Sequence, residues 1–306
     1  MTVKATEKRP YICSRCGQTF TSPEALNPVR HNCAKWNLGK EKHIPKTYTD
    51  HHLAELIPRR DKVYYPQSIS DSTDIEILKV AIENRLNILL LGETGIGKTH
   101  CLRHLAYQTK LPYMRVNLNG GTTQEDLIGQ WIPKKNGHGF MWVDGVLTRM
   151  IRYGGLFVCD EINAANAEIL FILHSLLDDE RRVVLVQKDG EVVKAHKGFI
   201  FAATMNPTGY EGTKPLNLAL FDRFDVILEF KNYAEKFVSS DMREAVKKIK
   251  QGVADGSISG AISTRGVKQF IRNRKIFGLE VAKSIFIQKF EGIHRETVEH
   301  LLDTIC

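Results

Sequence analysis

The sequence predicts an α/β protein: a parallel sheet covered by helices, followed by a small all-helical subdomain. Three observations lead there. Short strand-like runs recur through the middle of the chain, namely NILLLG (87–92), PYMRVNL (112–118), LFVCD (156–160), FIFAATMN (199–206) and DVILEF (225–230). Stretches with helical spacing separate them, as expected when strands are buried on both faces. After about residue 231 the pattern is helical only.

Taken in order, STDIEILKVAIENR (72–85) opens on Ser and Thr and spaces Ile75, Ile77, Leu78, Ala81 and Ile82 along one helical face. KTHCLRHLAYQTK (98–110) and NAEILFILHSLLDDE (166–180) read as further helices. RRVVLVQKDGEVVKAH (181–196) alternates around Asp189-Gly190, which predicts a hairpin with a two-residue turn. KFVSSDMREAVKKIKQG, TRGVKQFIRNRKIF, LEVAKSIFIQKF and RETVEHLLDTI supply the C-terminal helices. The expected division is a cysteine-bearing module (1–36), a basic linker (37–63), an α/β core (64–230) and a helical subdomain (231–306).

The chain has 306 residues, 42% hydrophobic and 25% charged, enough to bury a core. No apolar run approaches the ~18 residues of a membrane span, and the start has no signal-peptide character, so a cytoplasmic protein is expected. The net charge of +8 is uneven: residues 1–70 carry 12 Lys+Arg against 6 Asp+Glu, and the remainder is nearly balanced. Two readings stand, a small module touching nucleic acid or an acidic partner, or a solvated basic linker. Cys13, Cys16 and Cys33 cluster at the start, and a C-x-x-C in a cytosolic chain points to metal rather than disulfides.

GETGIGKT (92–99) fits G-x-x-x-x-G-K-T between a buried strand and a helix. Gly92, Gly95 and Gly97 let backbone amides curl around phosphate oxygens, with Glu93, Thr94 and Ile96 between them. The helix that follows, through Thr99 and His100, brings its positive end to the same place. This is the cradle of a nucleotide such as ATP: Lys98 would reach the β- and γ-phosphates and Thr99 would ligate Mg²⁺. GLFVCDEIN (155–163) ends a buried strand on Asp160, placed to hold Mg²⁺, and Glu161, placed to activate water. Asn206, Arg223 and Arg265 lie at the ends of later elements. A turn-forming Asn and surface arginines are common, so their order carries more than any one of them.

That order of P-loop, DEIN, ATMNP, LALFDRFD and STRG resembles the AAA+ ATPases, in the MoxR-like, dynein-related branch. TTQEDLIGQW (122–131) and FMWVDGVLTRMIRYGGLFVCDEINAANAEILFILHSLLDD (140–179) are similar to that branch's helix-two insert and Walker B segment. The resemblance covers about 64–275 and is nearest in flavour to the cobaltochelatase ATPase subunit CobS and to CbbQ. It implies a P-loop NTPase core with a pre-sensor-1 hairpin at 183–193 and a helical lid. Asn206 would be sensor 1, Arg223 an arginine finger donated to a neighbour's ATP, and Arg265 sensor 2, in cis or in trans. A trans finger implies a homo-oligomer, typically a hexameric ring. The family's clients include proteins with von Willebrand A domains and chelatase subunits. Within the 127–142 segment, Trp131, Phe140 and Trp142 have two readings, gripping a substrate chain or packing inside the insert.

YICSRCGQTFTSPEAL departs from that family and resembles the start of a two-Cys two-His zinc finger. Val29 stands where the first His belongs. Cys13, Cys16, His31 and Cys33 form a candidate structural Zn²⁺ set, with His43 as a substitute ligand; the other reading is a tail with free thiols. The leading expectation is therefore a ring-forming ATPase that remodels a protein client. The alternative is a nucleic-acid motor or loader using the basic N-terminal module. A nucleotide-switched scaffold with negligible turnover is opposed by the presence of Lys98, Asp160, Glu161 and Arg223.

Overall fold

Strand residues that alternate between two apolar layers build the central sheet. The computed structural model describes residues 11–12, 19–20, 51–59, 64–135, 137–207, 214–231, 238–260 and 262–303. Its longer strands, in chain order, are β1 (Ile88–Leu91), β2 (Tyr113–Asn117), β3 (Gly129–Pro133), β4 (Phe140–Asp144), β5 (Gly155–Asp160), β6 (Arg182–Leu185), β7 (Glu191–Lys194), β8 (Phe199–Met205) and β9 (Val226–Glu229). Five of them pair in parallel in the order β9-β1-β8-β5-β2. Ile88, Leu90, Leu156, Val158, Ile200 and Ala202 face one layer, where the helices Asp74–Glu83 and Lys98–Thr109 contribute Leu78, Leu102 and Leu105. The alternate residues Leu89, Phe157, Phe199 and Phe201 face the other. There the helices Val146–Tyr153 and Ala167–Leu177 bring Leu147, Met150, Ile169 and Leu173. This is the period-2 logic of a strand buried on both sides.

The strand order fixes where a ligand can bind. From β1 the chain crosses to β2 at the far edge, returns through β5 to β8, and then passes over β1 to β9. The direction of winding reverses between β1 and β8, and a parallel sheet opens its crevice at the carboxyl ends beside such a reversal. Both strands deliver predicted site residues there. Local signals support the helices: Thr73 caps Asp74–Glu83 through a reciprocal capping box with Glu76. Ser263 caps Thr264–Phe277 through Gly266 N.

The C-terminal helices Ser240–Ala254, Thr264–Phe277, Leu279–Ile287 and Gly292–Asp303 form a separate apolar cluster around Val246, Ile249, Phe270, Phe286, Val298 and Leu302. It meets the core beside the glycine loop, where Arg265 N donates to Gly95 O at 3.1 Å.

Two expectations need correction. The hairpin of β6 and β7 pairs Leu185 with Glu191, so five residues turn the chain instead of two. Asp189 and Gly190 do adopt positive φ, but they close the end of that longer loop. The 37–63 stretch is not all linker: the helix His51–Glu55 buries Leu53 in the core, and Leu56 O accepts from Tyr113 N at 3.1 Å. Leu53 and Leu56 are too few to give a visible period. The insert segment 127–142 contributes to an antiparallel hairpin, β3 with β4, that pairs Trp131 with Trp142. At the N-terminus, Tyr11–Ile12 pairs antiparallel with Thr19–Phe20. Cys13, Cys16, His31, Cys33 and His43 lie outside the described residues.

Candidate nucleotide and magnesium site

The loop after β1 is shaped by what a side chain would strike. Gly92 has φ +140°, and a Cβ there would meet Ile96 Cδ1 at 2.5 Å and Phe230 O at 2.6 Å. At Gly95, φ +80°, it would meet Ser263 Oγ at 2.9 Å. Glycine therefore lets the loop pass close to both β9 and the helical subdomain. The helix Lys98–Thr109 starts at Gly97, which offers no side-chain cap, so its first amides and its dipole face the loop.

Lys98 lies beneath this loop, 6% exposed. Its Nζ donates to Gly92 O at 2.5 Å, Glu93 O at 2.9 Å and Asn206 Oδ1 at 3.0 Å. Three oxygen acceptors compensate a buried ammonium, yet desolvation still pulls its pKa down to about 8. The charges of Asp160, Glu161 and Glu93 oppose that shift, and Arg265 adds to it.

Asp160 ends β5 and is buried. Thr99 Oγ1 donates to its Oδ1 at 2.9 Å and approaches Oδ2 at 3.1 Å. Thr204 Oγ1 also donates to Oδ1. Arg115, from β2, pairs its Nη2 with Oδ2 at 2.6 Å. Glu161 follows in a left-handed conformation, φ 58°, which a non-glycine residue seldom adopts outside a constrained turn. Thr204 Oγ1 accepts from Glu161 N at 3.2 Å, fixing that turn. Asn206 Nδ2 approaches Glu161 Oε1 at 3.5 Å. Asn163 Nδ2 donates to Asn206 O at 3.1 Å from the next turn.

The ends of β1, β5 and β8 thus bring Lys98, Thr99, Asp160, Glu161 and Asn206 into one network, with Arg265 at the loop. Arg223 is not part of it. Its Nε pairs with Asp178 Oδ1 at 2.6 Å, its Nη1 donates to Ala219 O, and its carbonyl accepts from Asn87 Nδ2 at 2.9 Å. His100 points away from the phosphate loop and packs edge-on against Tyr64, ring centres 5.4 Å apart. Trp131 and Trp142 pack edge to face at 5.7 Å, and Trp131 Nε1 donates to Gln187 O in the neighbouring hairpin. Phe140 is 63% exposed. Sequence reasoning missed Arg115, Asn163 and Thr204. Thr204 had a legible signal, a hydroxyl two residues before Asn206 in an otherwise apolar strand.

The donor chemistry fits magnesium. A hydroxyl and a carboxylate that already share a hydrogen bond are hard oxygen ligands, and magnesium takes few protein ligands, with phosphates and water completing its shell. Among the described residues no group of three or more His, Cys, Asp or Glu converges, and the candidate zinc set lies outside them.

Known proteins are similar to this chain in sequence. Residues 87–224 match the family described as the AAA domain, dynein-related subfamily. The chain is 35% identical over 168 residues to protein NorQ of Paracoccus denitrificans (strain Pd 1222), which covers 55% of this chain and 59% of NorQ. It is 30% identical over 209 residues to protein CbbQ of Hydrogenophilus thermoluteolus, covering 68% of this chain and 75% of CbbQ. It is 34% identical over 144 residues to the denitrification regulatory protein NirQ of Stutzerimonas stutzeri, covering 46% and 51%. The chain therefore spans between half and three quarters of these relatives.

The depressed Lys98 pKa has a signed consequence. Phosphate oxygens favour the ammonium, so ligand binding raises that pKa. Nucleotide affinity should then fall as pH rises above about 8, with proton uptake at pH 8.5. Titration calorimetry in buffers of different ionisation enthalpy measures that uptake, and Lys98→Ala should remove it.

Proposed function

The chain belongs to the dynein-related, MoxR-like branch of the AAA+ ATPases, and from that premise we propose that it hydrolyses ATP to remodel a protein client. The observation that carries this reading is the Lys98–Asn206–Glu161 network at the carboxyl ends of β1, β8 and β5. It places a cation, an orienting amide and a carboxylate around one crevice.

The residues divide the work as follows. Lys98 exchanges its loop carbonyls for β- and γ-phosphate oxygens, and the amides of 95–99 wrap the same phosphates. Thr99 and Asp160 would hold magnesium, which would supply positive charge beside the phosphates. Glu161 accepts a proton from the attacking water, and Asn206 holds that water between Glu161 and the γ-phosphorus. The new water–phosphorus bond forms as the bond from the γ-phosphorus to the bridging oxygen breaks, and ADP leaves with that electron pair. Arg265, at the mouth of the loop, adds positive charge beside the phosphates.

Arg223 cannot serve its own site while it pairs with Asp178 on a different part of the core. Its role in this reading is in trans, against the ATP of a neighbouring copy, which makes the active unit a homo-oligomeric ring. The β3–β4 hairpin carries Phe140, Met141 and Trp131 to the surface, and β6–β7 adds the exposed Val184, Val186 and Val192 beside it. This apolar patch suits contact with an unfolded or extended client segment. Clients with a von Willebrand A domain or a chelatase subunit remain the first to test. Among the described residues no helix is long and apolar enough to cross a membrane.

For the N-terminal module the reading is a structural zinc site on Cys13, Cys16, His31 and Cys33. The pairing of Tyr11–Ile12 with Thr19–Phe20, which bracket the C-x-x-C in sequence, favours it over a tail with free thiols. Metal analysis of the full chain should find one zinc per protomer, lost in Cys13→Ser; equal content in both proteins counts against it.

Two substitutions test the catalytic reading together. Glu161→Gln should retain ATP binding while turnover falls at least about 100-fold, the range of a lost general base. Arg223→Ala should be inactive alone, and its intact Glu161 sites should regain turnover when mixed with Glu161→Gln protomers that donate Arg223. Steady-state phosphate release across mixing ratios reads both. Unchanged hydrolysis removes Glu161 from its role, and a mixture no more active than its parts removes the trans finger.

A further inference from the structure

Asp160 is served by more donors than a metal ligand waiting for its ion requires. Both carboxylate oxygens are engaged by Thr99, Oδ1 also takes Thr204, and Oδ2 carries the Arg115 guanidinium at 2.6 Å. Arg115 reaches it from β2, whose Asn117 lies in register with Asp160 and whose Arg115 lies in register with Val158. The two partners differ in freedom: the Asp160 side chain is 9% exposed, and that of Arg115 is 46% exposed. The carboxylate is fixed, and the guanidinium can leave towards water.

A divalent cation and this guanidinium would compete for the charge of one carboxylate. A cation held by Asp160 and Thr99 would meet a like charge already paired with Oδ2, and like charges repel in a partly buried setting. Without either cation, the buried carboxylate would keep its two threonine hydroxyls but lose the countercharge in direct contact with it, which is costly. We propose that Arg115 is the resident counter-cation of the magnesium site: it neutralises Asp160 when no nucleotide is bound and withdraws as magnesium arrives with the phosphates. Arg115 is thus a positioning residue that sets the metal threshold of the site. It makes metal loading depend on nucleotide, because magnesium alone must displace an ion pair while magnesium on a phosphate chain brings further ligands.

The inference rests on the reading of Asp160 as a magnesium ligand, and the test separates the two. Mn²⁺ serves as the probe, its binding followed by electron paramagnetic resonance in the full-length protein with saturating ADP and without nucleotide. Arg115→Gln should tighten Mn²⁺ binding roughly tenfold or more, the size of a hydrogen bond to a charged group. It should also allow measurable binding without nucleotide. Its thermal midpoint should rise on adding Mg²⁺ alone, whereas that of the wild type stays constant. Arg115→Lys, which keeps the charge but loses the planar fork, should fall between them. Equal or weaker Mn²⁺ binding by both variants overturns the inference, while Asp160→Asn still losing the metal would leave the magnesium reading intact. Full Mn²⁺ affinity in Asp160→Asn overturns both.

Discussion

Everything at the carboxyl edge of the sheet depends on one buried ammonium. Lys98 can stay charged beneath the glycine loop only because three oxygens, from the ends of two strands and beyond, surround it. Two of those oxygens belong to the loop itself and one to Asn206, so the cation ties the phosphate cradle to the residue that faces Glu161. Remove the charge and the loop loses its internal tether; bring in phosphate and the same nitrogen has better acceptors to choose. The cation is held by loop and side-chain oxygens that an anion would be able to replace, which suits the site to an anion.

The sheet order turns that local chemistry into a site. β1, β8 and β5 are adjacent and parallel, so their carboxyl ends bring residues 92–99, 160–161 and 206 together although more than a hundred residues separate the first from the last. Thr204 is the hinge pin of the arrangement: buried in β8, it donates to Asp160 and accepts from Glu161. One hydroxyl thereby holds the proposed metal ligand and the proposed base at fixed spacing. The helical subdomain closes on the opposite side of the loop, touching it through Arg265 and Gly95.

Much of this was legible in the residues. The apolar runs marked all five strands of the sheet to within a residue or two, most plainly β1, β5 and β8, where burial on both faces leaves an unbroken hydrophobic signature. The glycine spacing around Lys98 and the acidic pair at Asp160-Glu161 were legible together: an acidic pair at a strand end is alone no more than a solvated turn, and the glycine loop upstream gives it a partner. What escaped notice was whatever depends on three-dimensional convergence. Arg115 reads as an ordinary surface cation in PYMRVNL, and only the pairing of β2 with β5 sets it against Asp160. The His51–Glu55 helix escaped because its anchors, Leu53 and Leu56, are too few to show a period. The five-residue turn between Leu185 and Glu191 escaped because Asp-Gly signals a tight turn regardless of how the flanking strands pair.

In the proposed function the loop over Lys98 binds the phosphates of a nucleotide, and equilibrium binding of a fluorescent ATP analogue to the wild type and to Lys98→Met at neutral pH decides whether it does. Binding should be saturable and should weaken by roughly tenfold to a hundredfold in the variant, the range of a charge-assisted hydrogen bond. Equal affinity in the two proteins would rule that role out.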